Sequence, residues 1–294
     1  MADMPVDFVA THNGVFHADD VFAAATLRLH QPGIEIRRTR DPQVLAGAKL
    51  VFDVGGGGYD HHQPGGNGER SNGMPYASFG LIWRDYGSQV CDGDQAVADE
   101  VDRLLVQQVD AGDSGVDLAV QKGAVRPVSV NDVFFWTNPS WQEGQEATDF
   151  DRAFEAAVQL AQVILLRAVE QARGRVRARD IIQQALATQR DPRIIVLDRY
   201  VPWQEAVHEH APSAVYIVYP SAGSWRVQGV PTESGTFKVR RLLPSPWAGL
   251  DNEALRQATG VADATFVHRS LAIAGADSMQ GACALAQLSL AKEE

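Results

Sequence analysis

Two periods of apolar and polar positions run along the first third of this chain. Val6-Asp7-Phe8-Val9-Ala10 is a short apolar run that predicts a buried strand. A polar loop from Thr11 to Ala18 follows. Val21, Phe22, Ala25, Leu27 and Leu29 then supply the apolar contacts of a helix reaching about His30, capped by Asp19 or Asp20 and stopped by Pro32-Gly33. Ile34 to Arg38 alternates and predicts a second strand. Pro42 to Ala46 predicts a short helix, and Lys49 to Val54 a strong apolar strand. Strand, helix, strand, helix, strand is the rhythm of a parallel sheet with helices on its faces. The loop after the first strand and the end of the Lys49 to Val54 strand should both open at the carboxyl edge, where open α/β sheets bind ligands.

Beyond this sheet, Tyr76 to Tyr86 and Ala96 to Val109 predict helices, with Asp110 at the C-terminal end of the second. The helix dipole there disfavours a carboxylate, so a nearby cation would account for it. Pro64 to Gly73 is rich in glycine and asparagine and predicts a mobile lid or a disordered loop. Val128 to Phe135 has no clear period. A long helical pattern runs from Thr148 to about Gln189, interrupted at Gly174 and closed by Asp191-Pro192. The domain boundary is placed there, giving domains 1–190 and 191–294. In the second, strands are predicted at Ile194 to Leu197, Ala214 to Tyr219, Trp225 to Val230 and Ala264 to His268, and helices at Asp251 to Thr259 and Ser278 to Ala291. The fold class is therefore α/β: a parallel-sheet N-terminal domain and a smaller mixed α+β C-terminal domain.

The loops at the carboxyl edge carry the candidate chemistry. Asp53, Asp60, His61 and His62 fall within ten positions, and His12, His17, Asp19 and Asp20 within nine. Val109-Asp110-Ala111-Gly112-Asp113 adds two more aspartates. Each of these histidines lies beside an aspartate in a loop that no apolar period explains, whereas His30, His208 and His210 read as packed or surface residues. Mixed imidazole and carboxylate donors suit Mn²⁺, Zn²⁺, Fe²⁺ or, less well, Mg²⁺. Two such ions sharing one carboxylate and one water would suit hydrolysis at phosphorus. Gly55 to Gly58 lacks dinucleotide-binding spacing and reads as a flexible loop. Gly112-Asp113-Ser114-Gly115 resembles a serine-protease signature, but it follows a helix in an α/β chain and is read as chance.

Composition narrows the partners. The chain has 294 residues, a formal net charge of −11, and only two cysteines, Cys91 and Cys283, so there is no disulfide framework and no cysteine-based zinc site. The charge argues against broad binding to duplex nucleic acid but not against a phosphorylated small molecule or a short single strand. The clusters Arg37, Arg38 and Arg40, Arg173 to Arg179, and Arg240 with Arg241 read as solvated faces when taken alone. No apolar stretch is long enough to span a membrane. The acidic N-terminus does not resemble a targeting peptide. A cytoplasmic protein is expected.

These motifs, with Trp225 to Pro231, Leu243 to Leu250 and Phe266-Val267-His268, resemble the Myg-type family, named for the melanocyte proliferating gene, which is itself similar to DHH phosphoesterases. The likeness covers nearly the whole chain. It implies a metal-dependent phosphodiester hydrolase with a DHH-type N-terminal domain and an active site between two domains. The reaction implied is 3′-to-5′ exonuclease action on RNA or short oligonucleotides by metal-activated water. By position it implies His12, His17 and Asp53 on one metal, and Asp19, Asp53, His61 and Asp110 on the other. Asp53 is then the bridging catalytic carboxylate, and His62 faces the substrate phosphate. Mn²⁺ is the expected ion, and a homodimer is compatible with the family. DHH enzymes usually carry aspartate where His17 stands, and their glycine-rich substrate motif has no clear counterpart. Arg240, Arg241 and His268 are the expected substrate contacts. The alternatives are a hydrolase of a small nucleotide or pyrophosphate, and a metal-binding regulatory protein without turnover.

Overall fold

The computed structural model describes residues 7–119, 123–233 and 235–291. Val6, and with it the start of the expected first strand, lies outside them, as does the acidic N-terminus. Two compact units divide the chain, Met1–Arg173 and Gly174–Glu294.

In the first unit, β1 (Phe8–Thr11) is central in a three-stranded sheet of order β2-β1-β3, with β2 at Glu35–Arg38 and β3 at Leu50–Val51. Both pairings are parallel, Val9 opposite Ile36 and Leu50. The carboxyl ends of β1 and β3 thus lie side by side, which brings His12 next to Asp53. Strand β3 is shorter than its apolar run. Phe52 leaves it for a bridge to Tyr59, and Asp53 turns into the left-handed region at φ 57°. Aspartate tolerates that conformation better than most residues.

Helix α1 (Ala18–His30) is buried from Ala18 through Leu27. It is the central helix, packed by α3 (Ser78–Val90), α5 (Gln107–Asp113) and α6 (Val130–Phe135). Phe22 stacks on Phe79 at 5.1 Å and meets Phe134 at 4.9 Å. The cap differs from expectation. His17 precedes the helix, its N–H donates to Asp20 Oδ1 at 2.9 Å, and Asp19 and Asp20 are inside the buried first turn. The positive end of the helix favours carboxylates there. Short α2 (Pro42–Ala46) is capped by Asp41.

The predicted Ala96 to Val109 helix is longer than expected. Helix α4 (Gln95–Val101) continues through a π-helical stretch, Asp102–Val106, into α5 and ends at Asp113. Asp110 is therefore inside a helix, and the terminal carboxylate is Asp113. The segment from Pro64 to Gly73 is pinned rather than free. Arg70 is buried, its Nη2 donates to Asp110 Oδ2 at 2.8 Å and to Asp102 Oδ1 at 2.6 Å, and its ring-facing side lies 4.1 Å from Tyr76.

Helix α7 runs without a break from Ala147 to Thr188, passing through Gly174. A lone glycine costs a helix only about 1 kcal/mol. The second unit begins within it because Ala178 and Ile182 enter that unit's core, together with Ile195, Ile217 and Val207. The boundary read from the sequence lay at the helix's end. The sheet is β4 (Ile194–Val196), β5 (Tyr216–Ser221), β6 (Ser224–Gly229), β8 (Ile273–Ala276) and β7 (Ala264–Val267), in that spatial order. Strands β4 and β5 are parallel and the rest antiparallel. Alternation sorts the side chains: Tyr216 and Val218 pack with α9 (Asn252–Thr259) and α10 (Met279–Ala291), Ile217 and Tyr219 with α8 (Gln204–His210). Strand β8 and helix α8 have no sequence counterpart above. No helix among the described residues is long and apolar enough to cross a membrane.

Candidate metal centre

Three short segments at the carboxyl edge of the parallel sheet supply the site, and the start of α3 closes it from behind. His12 follows β1 and is buried; its Nε2 lies 3.2 Å from Asp53 Oδ2 and 3.4 Å from Asp20 Oδ2. His61 points Nε2 at Asp113 Oδ2, 2.8 Å away, and Nδ1 at Asp53 Oδ1 and Asp19 Oδ2, 3.6 and 3.8 Å away. His62 stacks on His61 at 4.3 Å between ring centres. His17 Nδ1 lies 4.0 Å from Asp113 Oδ1.

Donor atoms from three sets of residues converge closely enough to hold a cation: His12, Asp20 and Asp53; Asp53, His61 and His62; His17, Asp19 and Asp113. Asp53 belongs to two of the sets, as a bridging carboxylate would. Both oxygens of Asp19, Oδ2 of Asp20 and Oδ2 of Asp53 are buried without a hydrogen-bond donor. Buried carboxylate oxygens are normally satisfied, so this set fits divalent cations, with oxygen and nitrogen donors of the kind Mn²⁺ and Zn²⁺ accept.

Two neighbours hold the donors in place. Ser78 is fully buried at the start of α3; its hydroxyl donates to Asp53 Oδ1 at 2.9 Å and lies 3.3 Å from His61 Nδ1. Asp60 accepts from Gly56 N–H at 2.7 Å and His62 N–H at 3.0 Å, and its Oδ1 is 2.8 Å from His62 Nδ1. Burial opposes ionisation of Asp60, but these donors hold its carboxyl below the ordinary value. Asp60 thus orients His62, leaving Nε2 of that half-exposed ring for the cleft it lines.

The sequence expectation placed Asp110 among the ligands. In the structure the carboxylate that meets His17 and His61 is Asp113, one helical turn further on. Asp110 instead accepts from Gly80 N–H at 2.9 Å and pairs with Arg70. Asp20 and Asp113, members of the sequence clusters that the resemblance did not carry over as ligands, join the converging donors. The missing signal was helix length: only an α5 reaching Asp113 turns that carboxylate inward. Arg240, Arg241 and His268 lie in the second unit with partners of their own. Arg240 Nη1 donates to the carbonyls of Ala211, Pro212 and Ala214 at 2.9, 3.1 and 2.7 Å. Arg241 donates to Ser289 O at 3.1 Å. His268 Nδ1 accepts from Ser270 N–H at 3.1 Å.

Replacing the two helical aspartates should separate their roles. Asp113→Asn should weaken Mn²⁺ binding about tenfold or more with little change in unfolding. Asp110→Asn should leave Mn²⁺ affinity in place and lower stability by about 2–3 kcal/mol, because Arg70 loses a buried partner. Calorimetric titration and urea melts of the two proteins decide it; the reverse pattern restores Asp110 as a ligand.

Electrostatics also predict a pH response. Burial, and then repulsion from Asp53, Asp113 and Asp20, push the Asp19 carboxyl well above its ordinary value. Burial pushes Asp20 up to about 7, with His12 opposing. Burial would lower His12 and His61, but Asp53 beside the first and Asp113 beside the second raise both above ordinary. An aspartate whose folded value is raised keeps its proton in the fold while the unfolded chain has lost it, so folding weakens from the ordinary carboxylate range up to about 7. A raised histidine stabilises below its unfolded value, and that stability is lost as pH rises through its folded value. Both effects have one sign. The metal-free melting temperature should fall by roughly 5 °C or more between pH 5 and 8, while stabilisation by saturating Mn²⁺ should grow. A metal-free melting temperature that rises over this range would contradict the assignment.

The sequence profile of an uncharacterised protein family, UPF0160, named MYG1_exonuc, matches residues 8–290. The human protein named MYG1 exonuclease is 33% identical over 97% of this chain and 86% of its own length. MYG1 proteins of Schizosaccharomyces pombe and Chlamydia trachomatis are 29% and 31% identical, covering 96% and 92% of this chain and 97% and 92% of theirs. Among solved structures, the match to the pGpG-specific phosphodiesterase PggH from Vibrio cholrae covers 97% of this chain and 99% of that one at 12% identity, with a TM-score of 0.31.

Proposed function

This chain belongs to the MYG1 (UPF0160) family, and on that premise we propose that it is a metal-dependent phosphodiester hydrolase of the DHH type, acting as a 3′-to-5′ exonuclease on RNA or short oligonucleotides. One observation carries the reading: Asp53 stands in two sets of converging donors, and its Oδ2 and that of Asp20 are buried with only the His12 ring beside them. His12, His17, Asp19, Asp20, Asp53, His61 and Asp113 would hold the ions. Bound there, divalent cations supply an acidified water and neutralise charge at phosphorus.

The chain's own residues do the rest. Ser78 keeps Asp53 and His61 in register. The Asp53 turn sets its carboxylate beside His12, His61 and His62. His62, held by Asp60, faces the cleft, where as an imidazolium it can donate from Nε2 to a phosphate oxygen or to the leaving group. Mn²⁺ as the ion and a cytoplasmic location belong to the same reading. So does Gly174–Glu294 as a substrate-binding unit.

A smaller substrate is the second reading, favoured by the net charge of −11. A panel of 5′-labelled short RNA, short DNA and mononucleotides with Mn²⁺, Mg²⁺ and Zn²⁺ tests both. Shortening of RNA from its 3′ end with Mn²⁺ is expected. Turnover of mononucleotides alone moves the protein to the second reading, and no phosphate ester cleaved with any metal overturns the hydrolase.

A further inference from the structure

Resting on the phosphodiesterase reading, we propose that Arg40 is a phosphate subsite of the cleft, gripping a phosphate other than the one cleaved and so selecting nucleotides that carry a second phosphate.

The three arginines of the 37–40 run have different surroundings. Arg37 forks onto Glu35, with Nε–Oε1 at 2.6 Å, and covers the Phe8 ring. Arg38 is buried, donates to Asp151 Oδ1 at 2.9 Å and Gly14 O at 2.6 Å, and lies over Phe154. Both are committed to a carboxylate of their own. Arg40 is exposed, and among the described residues no carboxylate lies within ion-pair distance of it. It is tethered by Nη1 alone, to the carbonyl of Asn13 and to Asn13 Oδ1 at 3.1 Å. Nε and Nη2 stay open.

That tether sets the guanidinium on the rim of the cleft of about 560 Å³ that His12, His17, Asp53 and His62 also line. A cleft of this size takes a small-molecule ligand, well beyond a single phosphate. Among the described residues Arg40 is the only lysine or arginine lining it. A substrate drawn toward a floor of carboxylates meets the ions at its scissile phosphorus. Its next phosphate needs a separate cation, and Arg40 on the cleft rim has two open donor edges. Guanidinium suits that task because its planar fork binds two phosphate oxygens at once. Asn13, beside His12, ties the fork to the same loop as the donors, so the two phosphate positions are held in fixed relation.

The test compares wild type with Arg40→Ala and Arg40→Lys, each loaded with Mn²⁺. One substrate is 5′-phosphorylated diadenylate, which has a phosphate beyond the scissile one. The other is bis(p-nitrophenyl) phosphate, which has only the scissile phosphorus. A charge-assisted pair of this kind is worth about tenfold to a hundredfold in affinity. Arg40→Ala should therefore lose about that much kcat/KM on diadenylate, mainly through KM. The loss should exceed that on the model ester by at least about tenfold, with partial recovery in Arg40→Lys. Calorimetry with diadenylate and Ca²⁺ in place of Mn²⁺ should show the same weakening without turnover. Equal losses on both substrates, or unweakened binding, overturn the subsite. If wild type cleaves neither substrate the hydrolase reading fails, and the calorimetry still decides Arg40. A wild type that binds no diadenylate overturns both.

Discussion

Asp53→Asn should lower turnover at least about a thousandfold, roughly 4 kcal/mol of barrier. The reason lies in the connectivity of the site. Asp53 is within reach of His12 on one side and of His61 and His62 on the other, so one substitution weakens two sets of donors together. A change at His17 or Asp113 touches only one set. The fold should survive. Asparagine tolerates the left-handed backbone that Asp53 adopts, and its side-chain oxygen can still accept from Ser78. Removing one negative charge from beside Asp19 and Asp20 also relieves repulsion, so the metal-free variant should melt no lower than wild type. Its melting temperature should no longer respond to Mn²⁺. Near-normal turnover would refute the bridging role, and a retained Mn²⁺ response would refute the shared donor.

Gly80→Ala should cost about 3–5 kcal/mol of stability, the largest folding effect expected from so small a change. A methyl at Gly80 would sit 1.9 Å from Asp110 Oδ2 and 2.7 Å from Arg70 Nη2. Neither can retreat. Asp110 is buried and accepts from the Gly80 N–H itself, and Arg70 is buried between Asp110 and Asp102. The substitution therefore adds overpacking to a broken buried ion pair, and either alone is expensive. Urea denaturation measures it. A loss below about 1 kcal/mol would mean that α3 and α5 slide apart easily, and that the Arg70–Asp110 pair does not lock them.

The apolar pattern placed most elements of both units because each buries one regular stripe. It failed where length was set by something other than apolar residues. Strand β3 stops at Val51 because Asp53 must turn, although the apolar run continues through Val54. Strand β8 contains Ile273, two alanines and a glycine, too little apolar contrast to register. The lid expected at Pro64 to Gly73 is fastened by Arg70, a long-range ion pair that no local window contains.

For the site, the chain by itself determined the donor types and the strands that carry them. His12 follows one apolar run, Asp53 ends another, and parallel pairing of neighbouring strands leaves those ends adjacent. Which of several aspartates face the ions was decided only by the tertiary structure. Asp110 and Asp113 share a short motif, the same chemistry and, three residues apart, nearly the same helix face. A rise of about 4.5 Å along the axis sets them beside different neighbours once α5 is packed on α1 and α3. One meets Arg70 and the N-terminus of α3, and the other meets His61. Asp19 and Oδ2 of Asp20 become orphaned acceptors because α1 starts at Ala18, ahead of both, and buries its first turn, while Asp20 Oδ1 accepts from the His17 N–H. Arg40, indistinguishable in sequence from its two neighbours, is set apart only by what they have already found as partners.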